Sequence, residues 1–125
     1  MRQIRCTPTS IAGRLAKAIQ FMEAAEALAL LGEASAAVIA TNYVHAGIAA
    51  ADVVCCRNLG HHASGPNHDE ARRLLALADP ALVSSLSVLL AMKSDAGYGA
   101  AELSTRKLLS AARAARKLVD AAQNP

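Results

Sequence analysis

The sequence predicts an all-α fold, an up-and-down four-helix bundle with a short extra helix in its second connection. Three observations predict it. Thirty of the 125 residues are Ala, which loses no side-chain entropy on entering a helix. Aromatic residues make up only 2% of the chain, and strands favour aromatic and β-branched residues. Apolar residues recur at three- and four-residue steps through several long stretches, as the core face of a helix requires. A chain of this length suits one domain and can bury a core without staples. The reading is a flexible basic arm over residues 1–8 and a single domain over 9–125.

The elements follow in order. Thr9 or Ser10 is expected to cap a first helix, since a hydroxyl there accepts a free N–H of the first turn. Ile11, Leu15, Ala18, Ile19, Met22, Ala25 and Ala29 form its apolar stripe, and Gly32 is its expected stop. A second helix is expected from about Ser35 to Leu59. One of its faces carries Val38, Thr41, His45, Ile48, Asp52, Cys55 and Leu59. Another carries Ala40, Val44, Gly47, Ala51 and Val54. A helix apolar on two faces has neighbours on both. Gly60 ends it, and Ser-Gly-Pro marks a loop.

Asn67 and Glu70 have capping-box spacing ahead of a short helix over 68–78, with Leu74, Leu75 and Leu77 toward the core. Asp79-Pro80 restarts the chain into a third long helix ending near Ser94, packed through Leu82, Leu86, Leu89 and Leu90. A turn with two glycines follows. Ser104 or Thr105 caps the last helix, whose stripe is Leu108, Ala112, Ala115, Val119 and Ala122. Short connections between such helices imply antiparallel neighbours.

The formal net charge of +3 is a mild bias that permits attraction to nucleic acid without requiring it. Three cysteines, two of them adjacent, make no disulfide framework, and Cys6 would have to choose between two equals. The expectation is a reduced, cytoplasmic protein. The first ten residues lack the apolar stretch of a signal peptide. Residues 34–51 are uncharged for eighteen positions, but their Ala, Thr41, Asn42 and His45 content favours a buried central helix over a membrane span.

Chemistry-bearing residues concentrate in "CCRNLGHHASGPNHDEARRLL", Cys55 to Leu75. Arg57 offers a fork for phosphate oxygens, and His62 can move a proton near neutral pH. With Asn58 orienting them, they form a candidate catalytic set for metal-free RNA cleavage. On an unbroken helix the two side chains would diverge by about 140°, so Gly60 must unwind the end for them to meet. Solvated residues favourably placed at a helix C-terminus are the plain alternative. Cys55, Cys56, His61, His62 and His68 match no common zinc spacing, and no metal or cofactor is expected. Thr41, His45 and Asp52 read as a satisfied polar row in the core, with a ligand pocket as the alternative. Arg106, Arg113 and Lys117 share one face of the last helix. They form either a solvated surface or a track for phosphates.

Three segments resemble the HEPN superfamily, the small helical bundles of prokaryotic toxin–antitoxin and defence systems. "AEALALLGEASAAVIATNYVHAGIAAADVVCC" is similar to its first two long helices. "NHDEARRLLALADP" resembles the His-Asp/Glu-Leu-Leu segment that follows. "LLAMKSDAGYGAAELSTRKLLSAARAARKLVDAA" looks like its third and fourth helices. The likeness covers about residues 10–122 and implies a four- to five-helix fold, usually dimeric. Active members are metal-independent endoribonucleases that use an Arg, a polar residue, and a His four to six positions after the Arg.

Arg57, Asn58 and His62 fit that motif literally. In the family layout, however, it belongs near the third or fourth helix. There this chain has Lys93 and Tyr98 at the same spacing, so the resemblance implies a displaced or degenerate motif. The leading expectation is a non-catalytic, homodimeric binding module contacting RNA or a nucleotide through Lys93, Tyr98, Arg106, Arg113 and Lys117. The alternatives are the ribonuclease and a plain interaction protein, such as an antitoxin-like partner. No membrane association is expected.

Overall fold

A computed structural model describes residues 3–64 and 67–124. The chain is all-α in class, and its described residues form five α-helices and a two-strand ribbon. Strand β1 is Gln3–Arg5, α1 is Pro8–Leu31, α2 is Ala36–Leu59 and β2 is His61–Ala63. Helix α3 is His68–Ala78, and a 3-10 turn, Pro80–Leu82, leads into α4, Val83–Tyr98. Helix α5 is Thr105–Gln123.

Local sequence sets most helix ends. Gly32 and Gly60 take φ of 73° and 84°, a left-handed conformation that costs glycine little, and their N–H groups close the last turns of α1 and α2. Ser35, Asn67 and Ser104 cap α2, α3 and α5 through their side-chain oxygens. Glu102, in the loop before α5, adds a carboxylate that accepts the N–H of Ala37 in the first turn of α2.

The start of the chain departs from expectation. Thr7, not Thr9 or Ser10, caps α1, because Pro8 suits the first helical position and lacks the N–H that the position leaves unbonded. Ser10 completes a reciprocal capping box with Thr7. The arm expected to be flexible is paired over its described part. Gln3, Ile4 and Arg5 lie antiparallel to Ala63, His62 and His61, and the Cys6 N–H donates to the Gly60 carbonyl at 2.9 Å. Met1 and Arg2 lie outside the described residues. At the other end of the sequence, α4 runs past Ser94 to Tyr98. Gly97 is absorbed into its last turn, and the stop is Gly99, whose N–H reaches the carbonyls of Ser94 and Asp95.

Helix α2 lies at the centre, packed against α1, α3, α4 and α5. By length and composition it is the one described helix apolar enough to cross a bilayer, and 67% of that window is buried within the protein. Its small residues let neighbours approach closely. A Cβ on Gly47 would overlap Leu89 Cδ1 of α4 and lie 3.3 Å from Leu118 Cδ1 of α5. The more deeply buried side holds Ala40, Val44, Gly47, Ala51 and Val54, while Val38 and His45 of the other expected stripe are exposed. Leu74 and Leu75 enter the core from α3 as expected; Leu77 faces outward.

Candidate functional site

The Arg57–Asn58–His62 set does not assemble within the chain. Arg57 donates to the Ala122 carbonyl near the end of α5. The Asn58 amide donates back to Val54 on its own helix at 2.9 Å, so it orients neither neighbour. His62 lies after the break at Gly60, on β2, and is only 3% exposed. Its Nδ1 is 2.7 Å from the Ala63 carbonyl and 3.7 Å from Asp52 Oδ2. Asp52 and Cys56, four apart, share one face of α2, and Arg57 points about 100° further round the helix. The glycine break turns the chain toward the Asp52 face and away from Arg57. The plain alternative of solvated residues at the helix end therefore does not hold for His62. The ribbon to β1 covers His62, and His61 is half-buried.

The five residues expected to bind nucleic acid or nucleotide fall into two places. Lys93 and Tyr98 of α4 line a cavity of about 110 Å³ with Thr41, Val44, His45 and Gly97. That is well below the ~300 Å³ of an ordinary ligand pocket. His45 does not belong to a buried row. It is exposed and stacks against Phe21 with ring centroids 5.1 Å apart. Desolvation and then the Lys93 charge hold its pKa below the usual histidine value. His68 is lowered in the same way, by desolvation, Lys93 and Arg72. Thr41 bonds to Ala37 on its own helix at 2.8 Å, whereas Asp52 does reach another helix, through Arg14 of α1 at 3.4 Å.

Arg106, Arg113 and Lys117 lie exposed along one face of α5, spanning about 16 Å of helix. Arg113 and Lys117 stand on a ridge between two grooves. On the α4 side, a groove of about 260 Å³ is lined by Ser84, Ser85, Val88, Ser110 and Ala114. On the other side lie Met22, Tyr43, Glu26, Arg116 and Asp120. Both carboxylates there are taken by Arg116. Elsewhere Asp52 pairs with Arg14, Asp69 with Arg72 and Glu70 with Arg73. Among the described residues, Arg106, Arg113 and Lys117 have no acidic partner.

A fourth constellation was not legible in the sequence. Cys6 and Cys56 form a disulfide, Cα to Cα 5.6 Å, where reduced cysteines were expected. Cys6 did not face two equals. Helical rotation turns Cys56 toward the arm and Cys55 into the core, where burial and then Asp52 push its thiol up to about 12. His62 stands beside the disulfide, with donor atoms of Cys6, Cys56 and His62 all within 4.8 Å of one another. Burial raises the pKa of neighbouring Asp52 to about 6, against the opposing pull of His62 and Arg14. The one available sequence signal was the Gly60 stop followed at once by two histidines, which lets the chain fold back along α2.

Neither protein-family models nor curated proteins give a match to this chain.

Proposed function

We propose that the protein is a non-catalytic, HEPN-like binding module that holds the phosphate backbone of single-stranded RNA on the outer face of α5. The observation that carries this reading is the stripe of Arg106, Arg113 and Lys117. It is free of carboxylate partners among the described residues and borders a groove with three serine hydroxyls. Cations without intramolecular partners attract phosphates and release counterions on binding. Serine hydroxyls supply neutral donors to the same oxygens. No aromatic side chain lines that groove, so the contact is to backbone and indifferent to sequence.

The finer architecture belongs to the same proposal. Helices α1, α2, α4 and α5 form an up-and-down four-helix bundle, with α3 carried in the connection after α2. A homodimer is part of it. Leu30, Leu31 and Val38 lie exposed around the α1–α2 turn, an apolar cluster suited to a second copy. The setting is a toxin–antitoxin or defence context, with RNA or a protein of the opposing role as partner; the Cys6–Cys56 disulfide removes the argument from reduced cysteines for a cytoplasmic one. The non-catalytic reading rests on Arg57 being engaged by Ala122 and on His62 being enclosed by the ribbon.

Titration of a labelled single-stranded RNA against salt tests it. Three phosphate contacts give a log–log slope of about −2, and each cation removed reduces it by about 0.7. The RNA stays intact with EDTA present. Absence of binding at low salt, or binding unaffected when all three cations are replaced by Ser, overturns the reading.

A further inference from the structure

We propose that Cys6, Cys56 and His62 form a three-ligand zinc site once the Cys6–Cys56 bond is reduced, so that the metal replaces the disulfide in joining the N-terminal arm to α2. The three residues come from three elements: the end of the arm, the last turn of α2, and β2. Their donor atoms already lie within 4.8 Å of one another. Around a tetrahedral zinc, sulfur and nitrogen donors sit about 3.5–3.8 Å apart. The two sulfurs need to separate from bonding distance, and a ring nitrogen of His62, within 4.8 Å of them, needs to close in by about 1 Å.

The surroundings of His62 point independently to the same role. A carbonyl only accepts, so the contact from Nδ1 to Ala63 at 2.7 Å places a proton on Nδ1. In the neutral ring the lone pair is then on Nε2. Histidines that bind metals usually have this arrangement, one ring nitrogen donating to a carbonyl or carboxylate while the other coordinates. The Asp52 carboxylate, 3.7 Å from the same Nδ1, is a nearby charge rather than a hydrogen-bond partner.

Two thiolates and an imidazole select zinc among the common divalent ions. The thiolates also cancel the charge of the metal, which suits a site where Cys56 and His62 are almost fully buried. Cys6 is half-exposed, giving a path for the ion and leaving the fourth position to solvent.

Conversion between the two states is a balanced exchange. A thiolate of a dithiol reductant attacks one sulfur of the Cys6–Cys56 bond and forms a mixed disulfide. The second reductant thiolate resolves it. The reductant leaves as its own disulfide, and the protein keeps two thiols. Zinc binding then displaces their two protons to solvent.

The test uses the full chain, reduced anaerobically with a phosphine and titrated with Co²⁺ as the spectroscopic probe. The expected result is a stoichiometric tetrahedral thiolate–cobalt spectrum that added zinc abolishes. It is absent from the oxidised protein and from Cys6→Ser, and unchanged in Cys55→Ser. His62→Gln keeps the charge-transfer bands, shifts the ligand-field bands and weakens binding. Absence of the spectrum in reduced protein, or its survival in Cys6→Ser, overturns the proposal. Because Cys6→Ser also removes the clamp, alkylation of the native chain gives a second reading. Zinc should slow labelling of Cys6 and Cys56 together. Equal labelling rates with and without zinc overturn the proposal even if every variant misfolds.

Discussion

At the end of α2 that meets the arm, Asp52, Arg57 and Glu70 are occupied; along the outer face of α5, Arg106, Arg113 and Lys117 are free among the described residues. Asp52 has Arg14 and His62, Glu70 accepts from Gln3 and Arg73, and Arg57 is bound to the Ala122 carbonyl. Arg106, Arg113 and Lys117 have no such partners among the described residues. Both regions are rich in cations, so composition does not separate them. Occupied groups hold elements in place, and their loss costs stability. Free groups cost the fold little and remain available to a ligand.

The largest test of that contrast is Cys6→Ser. Its disulfide closes a 50-residue separation, and the chain-entropy estimate for such a loop is about 4 kcal/mol. Denaturant unfolding without reductant should show a loss of that order, and a loss below about 1 kcal/mol would mean that the ribbon alone holds the arm. Next comes the triple replacement Arg106→Ser, Arg113→Ser and Lys117→Ser. RNA affinity at low salt should fall about tenfold or more. Stability should stay within about 0.5 kcal/mol of the parent, as at exposed positions without partners. A large fall in melting temperature would erase the distinction between the two regions.

Smaller effects sharpen it. Asn67→Ala removes the cap of α3, next to the ribbon crossover, and should cost about 1 kcal/mol. Ser110→Ala, on the open groove, should change stability by less than half as much. A pH dependence tests the occupied region directly. Burial raises the pKa of Asp52 to about 6 from its ordinary value of 3.8, so the folded state holds a proton that the unfolded state has released. Between about pH 4 and 6 this group therefore lowers stability as pH rises. Asp52→Asn carries no such penalty. Its stability relative to the parent should increase across that window, as melting curves at several pH values would show; a constant difference would mean that the carboxylate stays ionised throughout.

Local sequence was enough to place the helices, though not the start of α1 or the end of α4, because most of their determinants are local. Alanine content, apolar spacing, and the caps at Ser35, Asn67 and Ser104 act within a turn or two of where they stand, and so do the stops at Gly32 and Gly60. The common face of Arg106, Arg113 and Lys117 was equally legible, since it needs only helical geometry. Tertiary structure alone decided that Arg57 and His62 part and that Lys93 faces a cavity too small for a nucleotide. It also decided that Cys6 meets Cys56 and His62. Those outcomes join residues up to 65 positions apart, as Arg57 and Ala122 are. A short arm gains its partner only when the end of α2 is in place to receive it, and no periodicity within the arm records that meeting.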